Sequence, residues 1–111
     1  MRHLKPEFID KDERRSLTQL ATADIKQINL YQANRKAVLG NHFHKKTFEF
    51  FLILKGAFNL VVGSKHEVVT HGDFFVVEPP ERHTLTCISK KGEFLTFLTI
   101  PYNKKEPDIF R

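Results

Sequence analysis

The stretch Gly40-Asn41-His42-Phe43-His44, followed five residues later by Glu49, decides how this chain folds. Side chains two residues apart in a β-strand point to the same face, so His42 and His44 direct two imidazoles toward one point. Glu49 lies at an odd offset from both histidines. It joins their face only where the chain turns within the run 45–47, which is polar enough to predict such a turn.

A second candidate segment, Gly72-Asp73, has the composition of a turn and precedes a lone histidine at position 83. Three imidazoles and one carboxylate form a mixed nitrogen and oxygen donor set, which suits Zn, Fe, Mn, Ni or Cu better than Ca or Mg. The alternative is a metal-free site in which the histidines do acid–base work or only form hydrogen bonds. We therefore predict a divalent transition metal, of unspecified identity, bound by His42, His44, Glu49 and His83.

The other reactive side chains are interpreted as structural. Cys87 is expected to pack as a small buried hydrophobe. Tyr31 and Tyr102 are expected to pack in the core or at its rim, with general-acid catalysis as the alternative. His66 and His71 flank a predicted hairpin and are expected near the surface.

The composition describes an ordinary globular domain. The chain has 111 residues, of which 41% are hydrophobic and 28% charged, and its eleven phenylalanines and absence of tryptophan predict a core built on Phe. One cysteine excludes an internal disulfide and favours a reducing compartment. No apolar run reaches the length of a transmembrane helix, and the first residues lack the apolar core of a signal peptide. A cytoplasmic protein without membrane contact is expected.

The charge balance is basic, with a formal net charge of +5 and a pI near 9.5. The lysines are scattered in pairs, and the usual nucleic-acid motifs are missing, so nucleic acid is an unfavoured partner. A small-molecule ligand is expected instead. The charge leaves open whether that ligand is anionic or whether the surface is merely basic.

Short apolar segments separated by turn signals predict a barrel or a double-sheet jelly roll. Residues 1–15 are expected to form an N-terminal arm or edge strand, residues 16–103 the barrel, and residues 104–111 a C-terminal tail. Gly63-Ser64-Lys65 is expected to form a tight hairpin. The predicted strands are Ser16–Leu20, Asp24–Leu30, Ala37–His44, Phe48–Leu54, Ala57–Val62, His66–Thr70, Phe74–Glu78, Arg82–Ser89 and Glu93–Ile100.

This pattern resembles the cupin superfamily. The spacing of His42, His44, Glu49 and Gly56 is similar to the first cupin motif, and that of Gly72, Asp73 and His83 to the second. The resemblance implies an all-β, single-domain cupin fold, the double-stranded β-helix or jelly-roll barrel, and a metal bound inside it. It leaves the function open, because cupins support many chemistries. A small metal-binding cupin, either an oxygenase-like enzyme or a binding module, is the first hypothesis.

Segments 12–17, 25–28 and 40–44 also resemble the cupins that act on nucleotide-linked 4-keto-6-deoxy sugars. That resemblance implies a 3,4-ketoisomerase or 3,5-epimerase, with His42 or His44 as the catalytic base. Leu39 stands where these proteins often have an arginine, and Arg35 and Lys36 are candidate substitutes. Isomerase or epimerase activity is the second hypothesis.

The strand Phe48–Leu54 is apolar on both faces, one of which holds Glu49. A strand of this kind is covered on both sides, by the barrel interior and by a second sheet or subunit. We therefore expect a homodimer in which strands or arms are exchanged.

Overall fold

Eleven β-strands and no helix make up the protein, and the computed structural model describes residues 1–111. In chain order the strands are β1 Arg2–His3, β2 Phe8–Lys11, β3 Ser16–Gln19, β4 Gln27–Asn34, β5 Val38–His42, β6 Glu49–Lys55, β7 Ala57–Val62, β8 Lys65–Thr70, β9 Phe74–Val77, β10 His83–Cys87 and β11 Lys91–Leu98.

Two antiparallel sheets form the barrel. One has the strand order β1-β9-β6-β11-β4, and the other has the order β5-β10-β7-β8. Non-consecutive strands lie side by side in both sheets, as in a jelly roll. The predicted all-β jelly-roll fold is confirmed.

Phenylalanine side chains fill the space between the sheets, as the composition predicts. Phe51 stacks on Phe75 with ring centroids 4.9 Å apart and an interplanar angle of 7°. Phe94 and Phe58 pack perpendicular to each other across the barrel, with centroids 5.1 Å apart and an interplanar angle of 89°. These rings and the neighbouring aliphatic side chains form one continuous buried cluster that joins the two sheets.

Each of the nine predicted strands corresponds to an observed strand; the ends of Ala57–Val62 agree and those of the other eight are shifted. The turn at Gly63 and Ser64 joins Val62 to Lys65 as predicted. The short strands β1 and β2 were not among the nine predicted strands, and they lie in residues 1–15, which were expected to form an arm or edge strand. The predicted strand at Ser16 forms, but it pairs with β2 in a separate two-stranded hairpin rather than with a barrel strand.

The outer face of the five-stranded sheet is apolar and only partly covered. On β6, Phe51 and Ile53 point inward and are buried, whereas Leu54 is 36% exposed, and Phe48, just before the strand, is 39% exposed. The outer face of this strand was expected to be covered by a second sheet or subunit, and within one chain that coverage is incomplete. The structure contains no helix with the length and apolar character that a membrane crossing requires.

Candidate metal centre

Four side chains from three strands and one loop converge at one end of the barrel. His42 ends β5, His44 follows it by two residues, Glu49 begins β6, and His83 begins β10. Each offers one ligand atom, and these four atoms lie within 4.8 Å of one another. The sequence prediction brought these same four residues together.

The backbone before His42 bends sharply to bring the histidines over the barrel. Gly40 and Asn41 both have positive φ, at 86° and 61°. A Cβ atom on Gly40 would lie 3.0 Å from the backbone oxygen of His83, so glycine permits both the bend and the close approach of β10. The strand pairing is irregular between His83 and Thr84, at the same level.

Glu49 is the centre of the hydrogen-bond network in the site. Its Oε1 lies 2.9 Å from Nε2 of His44 and 3.3 Å from Nε2 of His83. The opposite ring nitrogens face backbone carbonyls: Nδ1 of His44 lies 2.6 Å from the oxygen of Asp108, and Nδ1 of His83 lies 3.3 Å from that of Glu81. Each of these two rings is thus held by its Nδ1 and presents its Nε2 to the carboxylate.

Burial and hydrogen bonding shift the pKa values of the site residues in different directions. Burial would raise the pKa of Glu49, but hydrogen bonds from His44 and His83 outweigh it and lower the pKa to about 2. Burial, with the nearby charges of His83 and His44, lowers the pKa of His42 to about 4. Burial acts in the same direction on His44, but its hydrogen bonds to Glu49 and Asp108 prevail and raise its pKa. At neutral pH the site therefore holds an ionised carboxylate and a neutral His42.

These donors fit a divalent transition metal. Histidines that bind metals usually donate their other ring N–H to a carbonyl or carboxylate, which is how His44 and His83 are held. A set of three imidazoles and one carboxylate suits Zn, Fe, Mn, Ni or Cu and leaves coordination positions for a ligand. The cluster could hold such an ion, and its chemistry does not distinguish among these metals.

A cavity of about 420 Å³ opens beside the cluster. Tyr31 reaches into it from β4 and stacks on Phe94, with centroids 4.8 Å apart. Burial, together with the charge of Glu49, raises the pKa of Tyr31, so its phenol stays protonated at neutral pH. The polar side chains of Gln27 and Asn29 share this wall and are hydrogen-bonded to each other. The lining residues are Gln27, Asn29, Leu30, Tyr31, His42, His44, Glu49, Leu98, Tyr102 and Ile109.

The structure separates the other sequence candidates from the site. His66 and His71 are exposed, as predicted, and lie outside the cluster. Cys87 is buried in the core, in agreement with its structural interpretation. Asp73 accepts a hydrogen bond from the backbone N–H of Thr70 and so stabilises its turn, as expected.

Arg35 and Lys36 do not replace the missing arginine of the nucleotide-sugar cupins. Their backbone N–H groups bond to the carbonyls of Lys90 and Cys87, at the end of β10 opposite His83. This interpretation of the sequence was wrong, because no local pattern indicates which end of the barrel a turn occupies.

Three residues near the site were missed by sequence reasoning. Asp108 bonds to His44, Arg111 donates to the carbonyl of Gly40, and Arg82 donates to that of Asn41. Asp108 and Arg111 lie in the segment that the sequence predicts only as a tail. Their distance along the chain from His44 left no spacing pattern by which to find them.

The protein is a small β-barrel of two antiparallel sheets. Three histidines and a glutamate converge inside the barrel as a candidate metal centre. The model of the family described as "Cupin domain" matches residues 31–100, and the chain belongs to this family. No match to the chain was found among curated protein sequences.

Several solved structures share the fold. The capsular polysaccharide assembling protein CapF from Staphylococcus aureus is similar with a TM-score of 0.73 and 17% identity, covering 93% of this chain and 33% of that one. A 3,4-ketoisomerase from Helicobacter canadensis has a TM-score of 0.79 and 17% identity, with 98% and 86% covered. The dTDP-4-dehydrorhamnose 3,5-epimerase from Elizabethkingia anophelis NUHP1 has a TM-score of 0.73 and 15% identity, with 88% and 68% covered. This chain thus spans a third of CapF but most of the ketoisomerase.

Proposed function

We propose that this protein is a metal-binding cupin that binds or transforms a small molecule in the cavity beside His42. The observation that carries the proposal is the convergence of four ligand atoms within 4.8 Å. His42, His44, Glu49 and His83 would hold the ion, and the cavity of about 420 Å³ would hold the ligand next to it. We place the protein in the cytoplasm, where a buried free thiol such as that of Cys87 stays reduced.

Metal content tests this proposal directly. Protein purified without a histidine tag, and again after incubation with each candidate metal, should contain close to one equivalent of a single transition metal by plasma mass spectrometry. His44→Ala should lose that metal, while the control His66→Ala, which changes an exposed histidine outside the cluster, should keep it. An equal metal content in wild type and His44→Ala, or no metal in any sample, would contradict metal binding at this site.

A second candidate function is isomerase or epimerase activity on a nucleotide-linked 4-keto-6-deoxy sugar. The observation in its favour is that Tyr31 and His42 line one cavity, a protonated phenol beside a neutral imidazole. His42 would take a proton from the carbon next to the sugar carbonyl, and Tyr31 would supply one to the carbonyl oxygen. In this candidate the acceptor nitrogen of His42 must be free to take the proton, so His42 would act without binding a metal. The similarity to a 3,4-ketoisomerase over nearly the whole chain supports this candidate.

Thermal shift measurements with dTDP separate the two candidates. The isomerase requires the nucleotide to bind, so dTDP at millimolar concentration should raise the melting temperature of the protein. A matched titration with Tyr31→Phe should preserve this shift, because the phenol acts on the sugar and not on the nucleotide. Absence of any shift with dTDP in the wild type would argue against the isomerase.

We also propose that the protein forms a homodimer through the outer face of its five-stranded sheet. Ile28 is exposed on this face, and an apolar groove of about 410 Å³ runs beside it. β2, in the arm of residues 1–15, and β3, just after it, form a hairpin. This hairpin exposes Phe8 and Leu17 and pairs with no barrel strand. An isolated two-stranded hairpin is marginally stable in water, so this one needs a partner surface.

Light scattering at micromolar concentration tests the dimer. The wild type should have twice the mass of one chain, and the double variant Phe8→Ser, Leu17→Ser should be monomeric. The variant Val68→Ser removes an exposed apolar side chain from the other sheet and serves as the control. A monomeric wild type would contradict the proposal.

A further inference from the structure

We propose that Asp108 is a positioning residue that holds His44 in the orientation required of a metal ligand. The inference rests on the proposed metal-binding function, and it adds a residue from the segment 104–111, which was expected to be only a tail. It is carried by the contacts of Asp108 with two parts of the site.

The first contact fixes the ring of His44. Its Nδ1 lies 2.6 Å from the backbone oxygen of Asp108, and a carbonyl oxygen can only accept a hydrogen bond. The proton must therefore be on Nδ1. Nε2, on the other side of the ring, is directed toward Glu49 and the centre of the cluster. A carbonyl contact of this kind sets both the rotation of a histidine ring and the nitrogen that faces a metal.

The second contact fixes the turn between two candidate ligands. The carboxylate of Asp108 accepts hydrogen bonds from the backbone N–H groups of Lys45, Lys46 and Thr47, at 2.9, 2.9 and 2.8 Å, and from the Thr47 hydroxyl at 2.8 Å. These three residues are most of the connection between His44 and Glu49. One aspartate thus holds both the ring of His44 and the loop that leads from it to the carboxylate.

Neighbouring contacts keep Asp108 in place. Phe110 and Phe43 exchange two backbone hydrogen bonds of 2.9 and 3.0 Å, and their rings lie 5.6 Å apart. The ammonium of Lys45 lies 4.2 Å from the centre of the Phe110 ring. Because Phe43 separates the two histidines of the HxH sequence, these contacts bind the tail directly to the ligand-bearing segment.

Loss of the Asp108 carboxylate leaves the backbone oxygen that contacts His44, but it frees the loop of residues 45–47 and should thereby loosen the hold on the His44 ring. Loss of a group that orients a metal ligand typically lowers metal affinity about 10- to 100-fold. The variant Asp108→Ala removes all four side-chain hydrogen bonds. Asp108→Asn keeps one oxygen acceptor of the two and should have an intermediate effect.

Binding of Co²⁺, measured by competition with a chelator, gives the first readout. Asp108→Ala should bind Co²⁺ about 10- to 100-fold more weakly than the wild type and with a changed visible absorption spectrum. Asp12→Ala is the matched control, because Asp12 also accepts backbone hydrogen bonds, from Arg14 and Arg15, but in the β2–β3 turn. Asp108→Ala with wild-type affinity and an unchanged spectrum would overturn the proposal.

Nuclear magnetic resonance of the metal-free protein gives a second readout that needs no metal. The Nδ1–H proton of His44 should give a slowly exchanging downfield signal in the wild type and in Asp12→Ala, and this signal should be lost or broadened in Asp108→Ala. If the wild type binds no Co²⁺ but shows this pattern, the metal function fails and the positioning role stands. If the signal persists unchanged in Asp108→Ala, the positioning role fails even where metal binds.

A milder variant covers the case in which Asp108→Ala does not fold. Thr47→Val removes one of the four hydrogen bonds to the carboxylate and keeps the size of the side chain. It should weaken Co²⁺ binding by a smaller factor than Asp108→Asn, and an affinity equal to that of the wild type in both variants would contradict the proposal.

Discussion

Nε2 of His44 lies 2.9 Å from Oε1 of Glu49, while Nδ1 of the same ring lies 2.6 Å from the backbone oxygen of Asp108. Both oxygens accept hydrogen bonds, and a neutral imidazole carries only one N–H. The metal-free pair therefore favours a protonated ring, in agreement with the raised pKa of His44. A metal ion at Nε2 would have to displace that proton, so binding should release protons and weaken as the pH falls.

The first prediction is that the pKa values of His42 and His44 are shifted in opposite directions in the metal-free protein. Their rings lie 5.1 Å apart, yet the pKa of His42 is lowered to about 4 and that of His44 is raised above its ordinary value of 6.5. At pH 6.5 we expect His42 to be neutral and His44 to be mainly protonated. Nuclear magnetic resonance titration of the two rings measures this, and equal titration midpoints would contradict it.

The lowered pKa of His42 also sets a direction for stability. The unfolded chain takes up a proton at this residue first as the pH falls, so the contribution of His42 to folding is complete above pH 6.5 and is lost toward pH 4. For His44, with its raised pKa, the contribution is present at low pH and is lost as the pH rises through that pKa. His42→Gln should therefore lose less stability than the wild type between pH 7 and pH 4.5, measured by urea unfolding in the presence of a chelator.

The second prediction concerns the charge of Glu49. Glu49→Gln removes the carboxylate that His44 and His83 share, so the pKa of His44 should fall relative to that in the wild type. Metal affinity should also drop, since an amide is a poorer ligand than a carboxylate. Glu67→Gln is the control, because it changes a partly exposed glutamate that pairs with His3 away from the cluster. A His44 titration that is the same in both variants would show that Glu49 does not set its pKa.

The ligand cluster could be predicted from the sequence because most of its residues lie close together along the chain. A two-residue spacing in a strand places His42 and His44 on one side, and the polar run after them predicts the turn that brings in Glu49. His83 was included as a lone histidine behind the Gly72-Asp73 turn, in a spacing that resembles a cupin motif, and the structure places it at the start of β10, paired with His42. Each of these inferences needed only a strand, a turn or a known spacing.

The rest depended on contacts between distant segments. The hydrogen bond between His44 and Asp108 joins residues 64 positions apart, and an aspartate in a polar tail has no pattern that indicates such a partner. The hairpin that contains Ser16 was assigned to the barrel for a similar reason, since alternation predicts a strand but not its neighbour. The existence of nine of the eleven strands could be predicted from the sequence, whereas their pairing and the docking of the tail could not.

The third prediction compares Phe51, on β6, with Phe48, just before that strand. Phe51 is 2% exposed and stacks on Phe75, so Phe51→Ala should reduce the free energy of unfolding by about 3–5 kcal/mol. Phe48 is 39% exposed on the outer side, and Phe48→Ala should cost about 1 kcal/mol or less in the monomer. Urea unfolding at fixed pH measures both, and similar losses would place the core elsewhere. If Phe48 instead costs more at high protein concentration, its face is buried in the dimer.

The fourth prediction separates backbone strain from crowding at two glycines. Gly56 and Gly63 both have positive φ, at 76° and 58°, so alanine at either position should cost about 1–2 kcal/mol from the left-handed conformation alone. A Cβ at Gly63 meets nothing within 4 Å, whereas a Cβ at Gly56 would lie 2.3 Å from the backbone oxygen of Lys91 and 2.4 Å from the hydroxyl of Ser89.

The backbone at Lys91 cannot move aside without disturbing β11, so Gly56→Ala should destabilise the protein clearly more than Gly63→Ala. Thermal unfolding of the two variants side by side measures the difference. Equal losses in the two variants would mean that the turn at Gly56 relaxes freely and that its glycine is required only for φ.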